Sequence, residues 1–257
     1  MDDTPPIESI AESIATTLGT PQFRTDLYIP QYPSGEIGPW RVTQCSLHLG
    51  RGYWGESYLV TEMPALLRRG DRGWQTWMSM SPYELESQEL GCRYAYGHTV
   101  AMGLGMGWIA INAALNRGVD KVTVVERDPD VIALIEQSGV LQRAPADAGR
   151  KIAIVQADAL EWQATEPVDF LYADIWLHLA EPGTLEQVRR MQANVGAETI
   201  YFWGQEMVIR DLASPEAIAD RATLDRVIRQ RIGLPLLAPE DLDYPAMIRR
   251  VLNMKAA

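Results

Sequence analysis

At 257 residues, 47% hydrophobic and 22% charged, the chain has the length and composition of one substantial globular α/β domain with room for a small appendage. A formal net charge of −11 argues against nucleic acid as the main partner, because phosphate binding needs a basic face. No apolar run approaches the roughly 20 residues of a membrane span, so no membrane partner is expected.

The acidic start lacks a basic-then-apolar signal pattern. Cys45 and Cys92 are far apart and make neither a disulfide framework nor a metal-ligand spacing, so no metal is expected and a reducing cytoplasm is the expected compartment.

In chain order, residues 6–18 carry apolar side chains at helical spacing, and Gly19 ends the pattern. Prolines and glycines from 21 to 37 predict an irregular connection. WRVTQCSLHL and YWGESYLVTE predict two strands joined through Gly50-Arg51-Gly52, and GWQTWMSM, from Gly73, a third. SPYELESQELGCR predicts a helix with Ser81 as N-cap and Pro82 at its first position.

From His98 the pattern changes. TVAMGL predicts a strand and WIAINAALNRG a helix closed by Gly118. KVTVVE is strand-like, and DPDVIALIEQSG is a helix capped by Asp128. KIAIVQA and DFLYADIW read as strands, TLEQVRRMQANVG as a helix and ETIYFWG as a strand. This alternation predicts a Rossmann-like, mostly parallel sheet with helices on both faces, preceded by a small antiparallel β unit. The expected divisions are 1–80, 81–213 and 214–257, the last a helical tail. Its apolar side chains suit either a sheet edge or the interface of a homodimer.

GLGMG (Gly103, Gly105, Gly107) falls between the first strand of this series and its helix. Ligands of open α/β sheets sit outside the carboxyl ends of the strands, and bare amides at a helix N-terminus allow close approach. Glu126 ends the next strand, where an acid accepts hydrogen bonds from ribose hydroxyls. These features predict a nucleoside-containing ligand. Trp108 stands where a dinucleotide fold needs a third small residue, and no Gly-Lys-Ser/Thr ending follows, which argues against NAD-type and kinase-type sites.

GLGMG, VVERDPDVIALI, VQADALEW and VDFLYADIW, in that order, resemble the successive motifs of class I S-adenosylmethionine-dependent methyltransferases, with the nearest likeness to the branch that includes spermidine synthases. The resemblance spans about residues 80–204 and implies S-adenosylmethionine or S-adenosylhomocysteine as ligand. By position it places Gly103, Gly105 and Gly107 at the methionine end, Glu126 on the ribose and Arg127 beside the adenine. Asp158 and Ala159 would bind the adenine edge, with Asp174, Ile175 and Trp176 at the mouth. Taken singly, Asp158 and Asp174 also suit turn caps, and Trp176 suits plain packing.

That branch carries a second aspartate three residues after the first, where this chain has Leu177, and a Tyr-His pair where it has Leu85-Glu86. The expected activity is therefore methyl transfer to a small-molecule substrate. Aminopropyl transfer with an altered amine site, and cofactor binding without catalysis, remain the alternatives. Asp174 and His178 are the candidate catalytic residues, with Glu181 nearby, and Glu84 and Gln88, one helical turn apart, are candidate substrate contacts. His48 and His98 have no partner in sequence and read as structural. Met78 and Met80, with Trp74 and Trp77, read as core or lid.

Overall fold

The structure, a computed structural model, describes residues 7–252. Helix α1 (Ile7–Leu18) precedes a four-stranded antiparallel sheet of β1 (Gly35–Ile37), β2 (Trp40–Arg51), β3 (Ser57–Gly70) and β4 (Gly73–Ser79), in that spatial order. The hairpin turn lies at residues 52–56, later than expected: the Gly52 amide donates to the Glu56 carbonyl at 2.6 Å, and β2 runs through Gly50 to Arg51. Strand β3 continues past Pro64 to Gly70, well beyond the apolar stretch that announced it.

Between β3 and β4 the register shifts, so that Leu66 faces Met78 and Leu67 faces Thr76, leaving Trp77 as the extra residue of a bulge. Successive strand side chains ordinarily face opposite ways. The bulge brings both Trp77 and Met78 to one cavity.

Helix α2 (Pro82–Tyr94) begins as expected, with the Ser81 hydroxyl accepting from the Glu84 amide at 3.3 Å. Then come β5 (Gly97–Met102), α3 (Trp108–Leu115), β6 (Val119–Glu126), α4 (Pro129–Ser138), β7 (Ile152–Gln156), β8 (Phe170–Ala173), α5 (Thr184–Val195), β9 (Thr199–Phe202) and α6 (Gln205–Leu212). The strands form a parallel sheet in the order β7-β6-β5-β8-β9. This is a Rossmann-like order that reverses beside β5. Right-handed crossovers then place α3 and α4 on one face and α5 on the other, as the sequence predicted. Continuous buried runs such as Phe170–Ala173 follow from cover on both faces.

Helix α3 ends at Leu115 rather than at Gly118. The Asn116 side chain donates to the carbonyls of Arg93 and Ala95 and accepts from the Gly118 amide, so a polar turn replaces the last helical turn. His98 is structural, bonded through its ring to Pro167 O and Thr123 Oγ1.

The tail comprises α7 (Pro215–Ala219), α8 (Arg221–Val227), a π-helical turn at Ile228–Ile232 and α9 (Tyr244–Leu252). Between the last two, Pro235 O accepts from the Ile200 amide and the Leu237 amide donates back to Ile200 O, at 2.9 and 2.6 Å. The tail thus covers the outer edge of β9, one of the two roles its composition allowed.

At the start of α6, the fully buried Glu206 carboxylate accepts from the hydroxyls of Tyr53 (3.0 Å), Tyr244 (3.0 Å) and Tyr201 (3.5 Å). It joins the hairpin turn, β9 and α9. Burial pushes this carboxyl up to about 7, against the opposing effect of its hydrogen bonds. The folded chain therefore keeps a proton that the unfolded chain releases in the ordinary carboxylate range, and stability falls as pH rises between that range and about 7. In Glu206→Gln the pH-dependent part of this loss, on the order of 2–3 kcal/mol, is expected to disappear. Urea midpoints at about pH 5 and about pH 8 check it; equal slopes in variant and wild type would refute it.

Candidate functional site

A cavity of about 750 Å³ opens outside the carboxyl ends of β5, β6 and β8, walled on its far side by the antiparallel sheet and by α2. Its position follows from the reversal of strand order beside β5. Of the residues singled out in the sequence, Gly103, Gly105, Glu126, Arg127, Asp158, Ala159, Asp174, Trp176, Glu84 and Gln88 all line it.

The glycine turn is built by close contact. At Gly103, with φ +100°, a Cβ would lie 2.1 Å from the Asp174 carbonyl oxygen; at Gly105, φ +51°, it would lie 2.5 Å from Met78 Sδ. Met78 Sδ accepts from the Met106 amide at 3.1 Å, so β4 rests on the turn. Gly107 is a correction. It does not line the cavity but caps α3 at φ +77°, where a Cβ would press on Leu141 at 3.2 Å, so its absent side chain serves helix packing.

Glu126 clamps the turn from the neighbouring strand end. One carboxylate oxygen accepts from the Leu104 amide (3.0 Å), the other from the Asp128 amide (2.8 Å). Asp158 accepts from the Leu160 amide at 2.8 Å, so it caps a turn and lines the cavity at once. Arg127 is exposed at the rim. Trp176 is 8% exposed, donates through its indole to Gln187 and packs on Phe202, so it both packs and lines.

At the α2 end, Gln88 Nε2 donates to Glu84 Oε1 (2.9 Å) and to Asp174 Oδ2 (3.2 Å), and the Tyr172 hydroxyl donates to the same Asp174 oxygen (3.3 Å). Burial raises the Asp174 carboxyl to about 7, with the Tyr172 bond opposing; burial and the Asp174 charge hold Glu84 well above the ordinary range. Gln88 is fully buried, and its Oε1 has no partner among the described residues. The cluster therefore presents two carboxyl groups of raised proton affinity and one unpaired amide oxygen beside the cavity.

His178 is a second correction. Its side chain is exposed and outside the cavity lining, because the loop after β8 turns it outward while its amide donates to Glu181 Oε1 at 2.8 Å. Glu181 does line the cavity. Sequence reasoning missed Trp40, Arg68 and Asp128 as lining residues, and took Trp77 and Met78 for core or lid. The first wall of the cavity is local in sequence, whereas these residues, Asp128 apart, arrive from another sheet.

No protein-family model and no curated protein matches the chain. Among solved structures it is similar to the glycopeptide N-methyltransferase MtfA in complex with S-adenosyl-L-methionine, at 22% identity over 43% of either chain (TM-score 0.33). It is also similar to the 23S rRNA methyltransferase ErmE, at 20% identity over 45% of this chain and 42% of that one (TM-score 0.34). A third is a dimethyladenosine transferase from Plasmodium falciparum, at 15% identity over 52% and 46% (TM-score 0.36). The chain covers less than half the length of each.

An rRNA methyltransferase among these neighbours corrects the expectation that nucleic acid is not a partner. Net charge averages over the whole surface and does not describe the rim of one cavity. Among the described residues, no helix is long and apolar enough to cross a membrane.

Proposed function

We propose that the cavity binds S-adenosylmethionine and that the chain transfers its methyl group to a small acceptor held between α2 and β8. What carries the reading is one juxtaposition: the Gly103–Gly105 turn, the Glu126 carboxylate and Asp158 stand at three successive strand ends around a single cavity, in the order that a nucleoside with a short charged tail requires. A Cβ at Gly103 or Gly105 would strike the Asp174 carbonyl or Met78 Sδ, so these glycines let the turn pack tightly beside the cavity they line.

When bound, S-adenosylmethionine supplies an electrophilic methyl group on a sulfonium. The chain's own groups do the rest. Glu126 holds the turn and offers its carboxylate to the ribose hydroxyls. Gln88 and Tyr172 fix the Asp174 carboxylate, and Asp174 takes the proton that the acceptor's nucleophilic atom gives up. Leu177 lines the cavity where aminopropyl transfer would call for a second carboxylate, which favours methyl transfer. The free thiols Cys45 and Cys92 suit a reducing compartment such as the cytoplasm.

Calorimetric titration with S-adenosylmethionine and S-adenosylhomocysteine tests the reading. In Glu126→Ala, affinity for both is expected to fall by about 1–3 kcal/mol, because the ribose hydroxyls and the Leu104 amide lose their acceptor. Unchanged affinity would remove Glu126 from the ligand site.

A further inference from the structure

The α2 end of the cavity holds an unbalanced set of hydrogen-bonding groups. Glu84 Oε1 and Asp174 Oδ2 lie 2.9 and 3.2 Å from one nitrogen, Gln88 Nε2, which donates to both. Neither carboxylate forms an ion pair among the described residues. Both line the cavity and are partly accessible. The other polar atom of the same amide, Gln88 Oε1, is buried and has no donor among the described residues. A buried acceptor left unmatched is costly, and two carboxylates this close repel one another when both are ionised.

The donors required narrow what completes the set. A hydroxyl or thiol brings a single proton and no charge, and a carboxylate adds a further negative charge. A primary ammonium brings a positive charge and a proton for each of the two carboxylates and the amide oxygen. Elsewhere in the lining, carboxylates outnumber the arginines Arg68 and Arg127, so the cavity draws in cations. The Gly103 turn packs directly on the Asp174 backbone, so a nitrogen held by this cluster stands beside that turn.

We propose that the methyl acceptor is an aliphatic primary amine, docked as its ammonium against Glu84, Asp174 and Gln88 Oε1 and methylated on nitrogen. The proposal rests on the methyl-transfer reading above and deepens it by naming the acceptor class. The ammonium gives one proton to the Asp174 carboxylate. The lone pair so freed forms the nitrogen–carbon bond to the methyl group as the carbon–sulfur bond breaks, its electron pair staying on sulfur. A methylated ammonium and a neutral thioether result, and the Asp174 carboxyl returns its proton to water. Glu84 and Gln88 keep the remaining N–H bonds and hold the nitrogen in line.

The test is calorimetric titration of the full chain saturated with S-adenosylhomocysteine. The probes are butylamine, hexylamine and benzylamine, each set against its matched alcohol, with butyrate as the anionic counterpart. At least one amine is expected to bind about tenfold or more tighter than its alcohol, and butyrate is expected not to bind. Glu84→Gln and Gln88→Met are each expected to weaken that amine by about ten- to hundredfold. Both variants are expected to keep S-adenosylhomocysteine affinity within about twofold, which reports that the cavity is still folded. With S-adenosylmethionine present, mass spectrometry of the product is expected to place the added methyl group on the amine nitrogen.

Amines that bind no tighter than their alcohols, or that bind both variants as well as wild type, would overturn the assignment while leaving the cofactor reading standing. A wild-type chain that did not bind S-adenosylhomocysteine would overturn the cofactor reading, and the same amine titration of the unliganded chain would still decide the ammonium site.

Discussion

Replacing Gly103 with alanine is expected to cost on the order of 3 kcal/mol of stability and to abolish ligand binding at the cavity. Two effects add at this position. The backbone sits at φ +100°, which side-chain-bearing residues rarely adopt, and the new Cβ would lie 2.1 Å from the Asp174 carbonyl oxygen and 3.1 Å from its carbon. The obstacle is backbone, so it does not swing aside as a flexible side chain would. The ends of β5 and β8 must separate, although the Gly103 amide is tied to Val125 O at 2.8 Å and the Asp174 amide to Met102 O at 2.9 Å.

The separation also displaces Asp174 from Gln88. Gly107→Ala is the control: its Cβ meets only side-chain tips, of Leu141 at 3.2 Å and of Ile135 and Leu104 at ordinary contact distances, so it strains the helix start and leaves the backbone of the cavity wall in place. Urea midpoints and a cofactor titration of both variants decide the matter. A Gly103→Ala chain as stable and as competent in binding as wild type would show that the turn is not built by this contact.

The second large effect is on turnover. Asp174→Asn keeps the size of the side chain and removes the proton acceptor, and turnover is expected to fall by about 10²–10⁴-fold while cofactor affinity stays near that of wild type. The pH profile carries the sign. With its carboxyl raised to about 7 by burial, Asp174 is protonated and inactive as a base below that value and ionised above it. Wild-type activity is therefore expected to rise with pH through about 7, and that limb is expected to vanish in the variant. Once an acceptor has been found by screening for S-adenosylhomocysteine release, a fully active Asp174→Asn enzyme would remove this residue from the mechanism. Glu84 lies in the same cluster, where burial and then the Asp174 charge hold its carboxyl well above the ordinary range.

Much of this was written locally. The alternation of apolar runs with amphipathic stretches determined a parallel sheet covered by helices, because strand and helix periods differ and each turn carries its own glycine, proline or cap. Ser81, Asp128 and Gly139 terminate helices through bonds to residues two to three positions away, and such signals survive in a bare sequence. The glycine turn and the acid ending the next strand were legible for the same reason.

Tertiary structure decided what depends on partners distant in the chain. The far wall of the cavity comes from β3 and β4, and Trp77 reaches it only through a bulge set by pairing against Leu66 and Leu67. His178 stands exposed outside the cavity lining, and Gly107, also outside it, packs its bare Cα towards Leu141. The tail had two compatible roles until Leu237 paired with Ile200. Glu206 gathers hydroxyls from Tyr53, Tyr201 and Tyr244, a cluster with no spacing to announce it, since hydrogen bonds across a fold obey distance in space and leave no period in the chain.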